Sequence, residues 1–557
     1  MSLSIKRTEC APQGRCFERV FWVVLDGMGY EHARRLVSAG RFPALSRIAR
    51  EGYLGPSQPS SPVCQTPPAL LALFSGTEPA ENGIWGYHMP DPKRQEGSVS
   101  GFSAQPTGGS LIWEELESRA AGYSLMNVIF RNDPLWARRG SWLDFGYDGY
   151  RLWGRPAFYS LDGGKAEHSY RGISFRTIPR GGEVCVAKGS QIRARLVPGQ
   201  GALVDLTGGT RVFAQLLDPS LLVLNPLNVA MVRGAVVGPL AGSDEALNGF
   251  LDTNVFRAAR RLNEGRAPAQ RIPLSAEMLL SAASMKQKSD LMLAAIGNPR
   301  SRLVVGYFPL IDEYNHAYVD LLESQWTDPA SQLALGEANA GTAGRATEVF
   351  FECAACVDGL LCQLMAAADP NTLLIVSSDH GAMSHRSVLH VNELFAAAGL
   401  ARKAPAGSIP AGYDLRRSTA YYHPSDCGQV VVNEAEARRR GLDRAGLLSR
   451  VRAIADQAGI GTPKSVGMVE GGPNSPYLAF FYPLGDRYFT GRPPRRGRPA
   501  LDEEKAGGHH LSPLSPTPWI QAVLGLWSSS AAAGAFEGAP TANCDLKNYI
   551  LAQMGII

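Results

Sequence analysis

Thr372-Leu-Leu-Ile-Val-Ser-Ser-Asp-His-Gly381 is an apolar, β-branched run that stops on a carboxylate, an imidazole and a glycine. Its apolar residues are continuous rather than alternating, which predicts a strand buried on both faces, as in a parallel sheet. Phe21-Trp-Val-Val-Leu25 has the same character and stops on Asp26. Arg302-Leu-Val-Val-Gly-Tyr-Phe308 has it again and leads into Asp312 and His316. Helical patterns at 32–38, 43–52, 343–368 and 391–399 lie between or after these runs. Strands alternating with helices predict an α/β fold with a central, mostly parallel sheet flanked by helices. In such a sheet the strand ends on one edge converge on one crevice.

Working outward, the core reads as three pieces, 20–139, 301–401 and 501–557. Residues 140–300 form an inserted part that is first β-rich and then helical. Gly172-Ile-Ser-Phe-Arg-Thr-Ile178, Glu183-Val-Cys-Val-Ala187 and Gln191-Ile-Arg-Ala-Arg-Leu196 are short segments divided by Gly and Pro turns, the pattern of a β-meander. Residues 402–500 form a second insertion, a smaller α+β cap. It holds a strand at 428–433, a helix at 443–459 and a Pro/Arg-rich loop at 492–499. A closing helix is expected over 546–554.

The chain has 557 residues, 45% hydrophobic and 19% charged, with a net charge of +4. This describes a globular protein with a large core and no nucleic-acid footprint, so no specific nucleic-acid binding is expected. Nine cysteines without framework spacing do not make a disulfide scaffold. Cys353-Ala-Ala-Cys356 sits in a helical apolar pattern without a second such pair, and reads as two cysteines on a buried helix. The N-terminal segment has no apolar h-region, and no 18 consecutive residues are apolar. The expectation is therefore a cytoplasmic protein without a membrane span.

Thr66 stands in Pro62-Val-Cys-Gln-Thr-Pro-Pro-Ala69, ahead of an apolar helical run. Threonine followed by proline reads as a helix N-cap. A helix N-terminus also receives anions, and a hydroxyl there is aimed at a bound phosphoryl group. Asp312 and His316 are four apart, on one face of a helical turn. The glycine after Asp379-His380 allows a turn that brings both side chains to one cavity. Gly507-Gly-His-His510 offers one more imidazole. Hard oxygens with imidazoles suit zinc or manganese.

The order Asp26, Thr66, Asp312-x3-His316, Asp379-His380, Gly-x-His509 resembles the alkaline phosphatase superfamily. Within it the chain is most similar to the type I phosphodiesterase/nucleotide pyrophosphatase branch. Val24-Leu-Asp-Gly-Met-Gly-Tyr30 matches the first-strand motif. Thr66-Pro-Pro and Phe74-Ser-Gly-Thr-Glu-Pro-Ala-Glu-Asn-Gly-Ile84 match the nucleophile helix and its loop, and Asn543-Cys-Asp-Leu546 the closing helix. The resemblance implies an alkaline-phosphatase-like core and two divalent metal ions, zinc with manganese as the alternative. Asp312, His316 and His509 would hold one ion. Asp26, Asp379, His380 and Thr66 would hold the other. The Gly-x-His-Gly pattern favours His509 over His510.

The resemblance further implies that Thr66 attacks phosphorus to give a phospho-threonine, later hydrolysed by water. The expected substrate is a small phosphate ester or nucleotide-like molecule carrying a phosphodiester or pyrophosphate bond. A phosphomonoesterase or phosphonate hydrolase on the same core is the near alternative, and a catalytically dead binding protein the remote one. Where the branch has an asparagine touching phosphate, this chain has Trp85-Gly-Tyr87-His88, so Tyr87 is either a replacement donor or a packed aromatic.

Overall fold

In a computed structural model of the chain, Arg19–Leu25 and Thr372–Ser377 pair in parallel. Val24 stands opposite Ser377, so Asp26 and Asp379 each come two residues past the last partnered pair. Register alone thus delivers both carboxylates to one sheet edge. The structure describes residues 17–90, 98–102, 108–128, 140–144, 157–161, 166–170, 172–199, 201–207, 210–228, 231–233, 250–251, 274–327, 336–405, 412–423, 428–457, 466–471, 477–485, 487–494, 501–502, 507–531, 535–536 and 538–557. The N-terminal segment through residue 16, residues 252–273 of the expected helical stretch and residues 495–499 of the Pro/Arg-rich loop lie outside these.

The chain divides into two compact units, Met1–Ala120 with Leu364–Ile557, and Ala121–Gln363. In the first, Thr372–Ser377 also pairs antiparallel with Ala522–Trp527, which pairs antiparallel with Tyr53–Ser57. Neither of these outer strands was anticipated from sequence. The helix Thr66–Ser75 is buried along its whole length. Its Phe74 ring packs between Trp22 of the first strand and Trp113, at centroid distances of 5.3 and 5.2 Å. The closing helix, Asn543–Gln553, packs against it. The cap is a four-stranded antiparallel sheet of Ala420–Tyr422, Gln429–Val432, Ala479–Pro483 and Val466–Glu470 with the helix Arg444–Gln457. Tyr422, Val451 and Phe481 are among its core residues.

In the second unit, Gly122–Met126 pairs in parallel with both Ser301–Phe308 and Gly140–Asp144, and Met231–Arg233 adds an antiparallel edge. Gly140–Asp144, expected to begin the insertion, therefore belongs to this sheet. The β-rich part is an antiparallel meander, Ala166–Tyr170, Ile173–Arg180, Glu183–Lys188 and Gln191–Leu196, followed by a second antiparallel sheet containing Gly201–Thr207, Thr210–Asp218 and Leu221–Asn228. Phe175, Val186, Val204, Leu216 and Leu224 share its core. Within the helix Gly336–Ala367, the stretch Ala346–Ala367 is long and apolar enough to cross a membrane, a feature the sequence reading did not find. More than half of its most apolar part is buried, with Phe350, Cys353, Val357 and Leu361 inside the protein, as in a core helix.

Candidate active site

At the edge where the two parallel strands end, Asp379 and His380 are fully buried and Asp26 nearly so. Asp379 Oδ1 accepts from the backbone N–H of Gly27 at 3.1 Å and of His380 at 2.9 Å. His380 Nδ1 is 2.8 Å from the carbonyl of Gly381. A carbonyl only accepts, so the neutral ring carries its proton on Nδ1 and leaves Nε2 as a lone pair. That Nε2 lies 3.2 Å from Asp379 Oδ2 and 3.4 Å from Asp26 Oδ1. A lone pair facing two carboxylate oxygens is repulsive unless a cation lies among them, and burying two carboxylates side by side is costly for the same reason. The three groups offer ligand atoms within 4.8 Å of one another. Two oxygens and an imidazole nitrogen are a donor set that fits zinc or manganese.

The glycine after this pair serves a different purpose from the one expected. A Cβ on Gly381 would stand 2.0 Å from the carbonyl oxygen of Trp519, and one on Gly29 2.7 Å from the same atom. Close backbone approach, not a left-handed turn, excludes side chains here.

Thr66 is the first helical residue and Gln65 the N-cap, so the capping expectation for Thr66 is not met. The helix has no side-chain cap. The Thr66 hydroxyl instead lies 2.6 Å from the phenolic oxygen of Tyr87 and 3.4 Å from His380 Nε2. Pro67 and Pro68 carry no N–H, and the Ala69 N–H is taken by Gln65, so the first turn keeps only the Thr66 amide for an anion. Side-chain donors therefore matter more at this helix end than at an ordinary one. Beside it, burial pushes the Cys64 thiol up, which keeps it a neutral neighbour rather than a thiolate.

Tyr87 thus shares a hydroxyl–hydroxyl hydrogen bond with Thr66 and is also packed. Its N–H donates to Gln65 Oε1 at 3.2 Å, its carbonyl accepts from Gly101 at 2.9 Å, and its ring meets Phe102 edge-on at 5.7 Å. The preceding Trp85 stacks on Phe480 of the cap at 5.0 Å and accepts Gln429 Nε2 at its carbonyl at 2.7 Å. The cap thereby fixes the loop that carries Tyr87.

The two loop histidines part company. Gly507–His509 pairs with Met383–His385, and His510 follows the end of that strand. The His509 ring lies 5.4 Å from His385 and 5.7 Å from Tyr488. The His510 ring stacks on His380, with centroids 3.7 Å apart and planes at 9°, and faces Tyr87 at 6.4 Å. The histidine stacked beside the Asp26–Asp379–His380 cluster is His510; His509, which the Gly-x-His-Gly pattern favours as the partner of Asp312 and His316, faces His385 and Tyr488.

In the second unit, Asp312 and His316 lie one turn apart on Leu310–Thr327, with His316 Nε2 3.2 Å from Asp312 Oδ2 and Asp312 buried. Sequence reasoning gave Asn543 no role beyond opening the closing helix. Its amide donates to the carbonyls of both Ser378 and Asp379, at 3.1 and 2.8 Å. The signal was its place at the head of a recognised motif.

The profile of the type I phosphodiesterase/nucleotide pyrophosphatase family matches residues 20–160 and 252–448. No curated protein sequence matches. Solved structures similar in chain trace include phosphonoacetate hydrolase from Sinorhizobium meliloti in complex with phosphonoformate, at TM-score 0.45 and 15% identity, covering 97% of this chain and 96% of that one. The same hydrolase in complex with phosphonoacetate aligns at 14% identity with equal coverage and TM-score. An inactive variant of murine ectonucleotide pyrophosphatase/phosphodiesterase 5 in complex with AMP aligns at TM-score 0.43 and 10% identity, again over 97% and 96% of the two chains.

Proposed function

The chain belongs to the type I phosphodiesterase/nucleotide pyrophosphatase family, and on that premise we propose that it hydrolyses a phosphodiester or pyrophosphate bond with Thr66 as nucleophile. The observation that carries this reading is the Thr66 hydroxyl, held at a helix N-terminus between Tyr87 and the Asp26–Asp379–His380 cluster.

Asp26, Asp379, His380 and the Thr66 oxygen would hold one divalent ion. Asp312 and His316 would supply ligands to a second, with a histidine of the 507–510 loop. The stacking of His510 on His380 favours His510 over His509 for that place. When bound, such ions would lower the pKa of a hydroxyl or water and neutralise charge on phosphoryl oxygens.

The chain's own residues do the rest. The Thr66 oxygen forms a bond to phosphorus as the bond to the leaving oxygen breaks, giving a phospho-threonine. Water then adds to phosphorus and the bond to Thr66 breaks, restoring the hydroxyl. The Tyr87 phenol donates to a phosphoryl oxygen in the place where the family's asparagine would, and its contact with Thr66 supports that role. His380, with Nδ1 fixed by Gly381, keeps its lone pair on the nucleophile's side.

Assaying bis(4-nitrophenyl) phosphate against 4-nitrophenyl phosphate and a phosphonate, with zinc or manganese supplied, tests the bond assignment. Faster turnover of the diester supports it. Preference for the monoester or the phosphonate would move the chain to the alternative phosphatase or phosphonatase reading.

A further inference from the structure

We propose that Asn543 is the positioning residue that sets the direction of Asp379 and His380 at the metal site, an inference that rests on the metal-dependent reading above. Asn543 opens the closing helix and is 1% exposed. Its single amide nitrogen donates to two successive carbonyls, Ser378 at 3.1 Å and Asp379 at 2.8 Å. Holding both carbonyls fixes the two peptide planes that flank the Cα of Asp379, and with them the direction of its side chain. The other face of the same loop is tied elsewhere. Ser378 donates its hydroxyl to Met28, Gly381 its N–H to Ile520 and Ala382 its N–H to Trp519. Asn543 binds the carbonyls of Ser378 and Asp379.

The same side chain reaches the nucleophile's approach. Asn543 Oδ1 accepts from the Ser57 hydroxyl at 2.7 Å, and the Asn543 N–H donates to the carbonyl of Gln58 at 2.9 Å. Ser57 ends the strand Tyr53–Ser57, and Gln58 follows it on the way to Thr66. The closing helix also packs on the helix that Thr66 begins. One buried amide therefore links the ligand loop to the segment that brings in the nucleophile. Groups that orient metal ligands change metal affinity by about 10- to 100-fold when removed.

Only the amino half of the amide makes the carbonyl contacts, so the two halves can be separated. Asn543→Asp keeps an acceptor for Ser57 and removes both donors. Ser57→Ala removes the acceptor contact and leaves the donors. Asn543→Ser, which introduces no buried charge, takes the place of the aspartate variant if that does not fold. The readouts are Zn2+ affinity by competition with a chromophoric chelator and the visible spectrum of the Co2+-loaded protein. Each is taken on full-length chain at a temperature where circular dichroism shows the variant folded.

The expected result is zinc binding weakened about 10- to 100-fold in Asn543→Asp or Asn543→Ser, with an altered cobalt spectrum and Ser57→Ala close to wild type. A packing role alone would lower thermal stability and leave the affinity and spectrum of the folded protein unchanged. Wild-type-like zinc affinity and cobalt spectrum in the Asn543 variants would overturn the proposal while leaving the metal site standing. Failure of the wild-type chain to bind zinc or cobalt would overturn both.

Discussion

The Thr66 hydroxyl and the Tyr87 phenol share a 2.6 Å hydrogen bond across 21 residues of chain. Two prolines leave the first turn only the Thr66 amide, and the phenol places a second hydroxyl beside it. Tyr87→Phe keeps the ring against Phe102 and removes only the hydroxyl. We expect its kcat on a diester to fall by about 100-fold, as on loss of one transition-state donor, with bound metal unchanged. Wild-type kcat would make Tyr87 a packed aromatic only.

Thr66→Ala removes the proposed nucleophile oxygen from a helix that has no side-chain cap to lose. Turnover should vanish while metal content and thermal midpoint stay near wild type, and mass spectrometry of the quenched wild-type enzyme should find phosphate on Thr66. Retained activity in the alanine variant would remove Thr66 from the chemistry.

Gly381→Ala places a methyl 2.0 Å from the Trp519 carbonyl, where backbone meets backbone. Overpacking of this kind costs about 1–3 kcal/mol, read as a lower urea midpoint with an unchanged slope. A neutral substitution would show that the Trp519 segment gives way freely.

Much of this site was legible because strands Arg19–Leu25 and Thr372–Ser377 announce themselves as continuous apolar runs, and their parallel register carries Asp26 and Asp379 to the same edge. The Asp312–His316 pair follows from helical spacing alone. What could not be read depended on contacts far apart in sequence. Tyr87 meets Thr66 because Trp85 is anchored to Phe480, hundreds of residues away. Ala522–Trp527 is a six-residue strand containing a glycine, defined by its two partners rather than by its own pattern. His509 and His510 are neighbours of one type, and only the folded chain shows that His510 stacks on His380 while His509 faces His385. The use of Gly381 depends on where Trp519 passes.

Two buried histidines weaken the fold on acidification. Burial lowers His32 from 6.5 to about 3, and burial with the nearby His88 lowers His423 to about 4. Each is neutral in the folded chain and protonated sooner in the unfolded one, so the unfolded state binds more protons below 6.5 and stability falls as pH drops from there toward 3. Glu78, raised from 4.5 to about 6 by burial, has the opposite sign, its contribution being present below 4.5 and lost as pH rises through 6. His32 and His423, with His88 and His168 lowered by burial in the same direction, outweigh the raised Glu78 and Asp545 and leave a net loss on acidification. Urea midpoints should fall from pH 7 to pH 5, and less steeply in His32→Gln. A flat profile would contradict this.

Elemental analysis of the purified chain after incubation with zinc and manganese tests the central claim most directly. The account predicts two ions per chain, with Asp379→Asn and Asp312→Asn each losing metal. A chain that holds neither zinc nor manganese, and takes up neither, would contradict it.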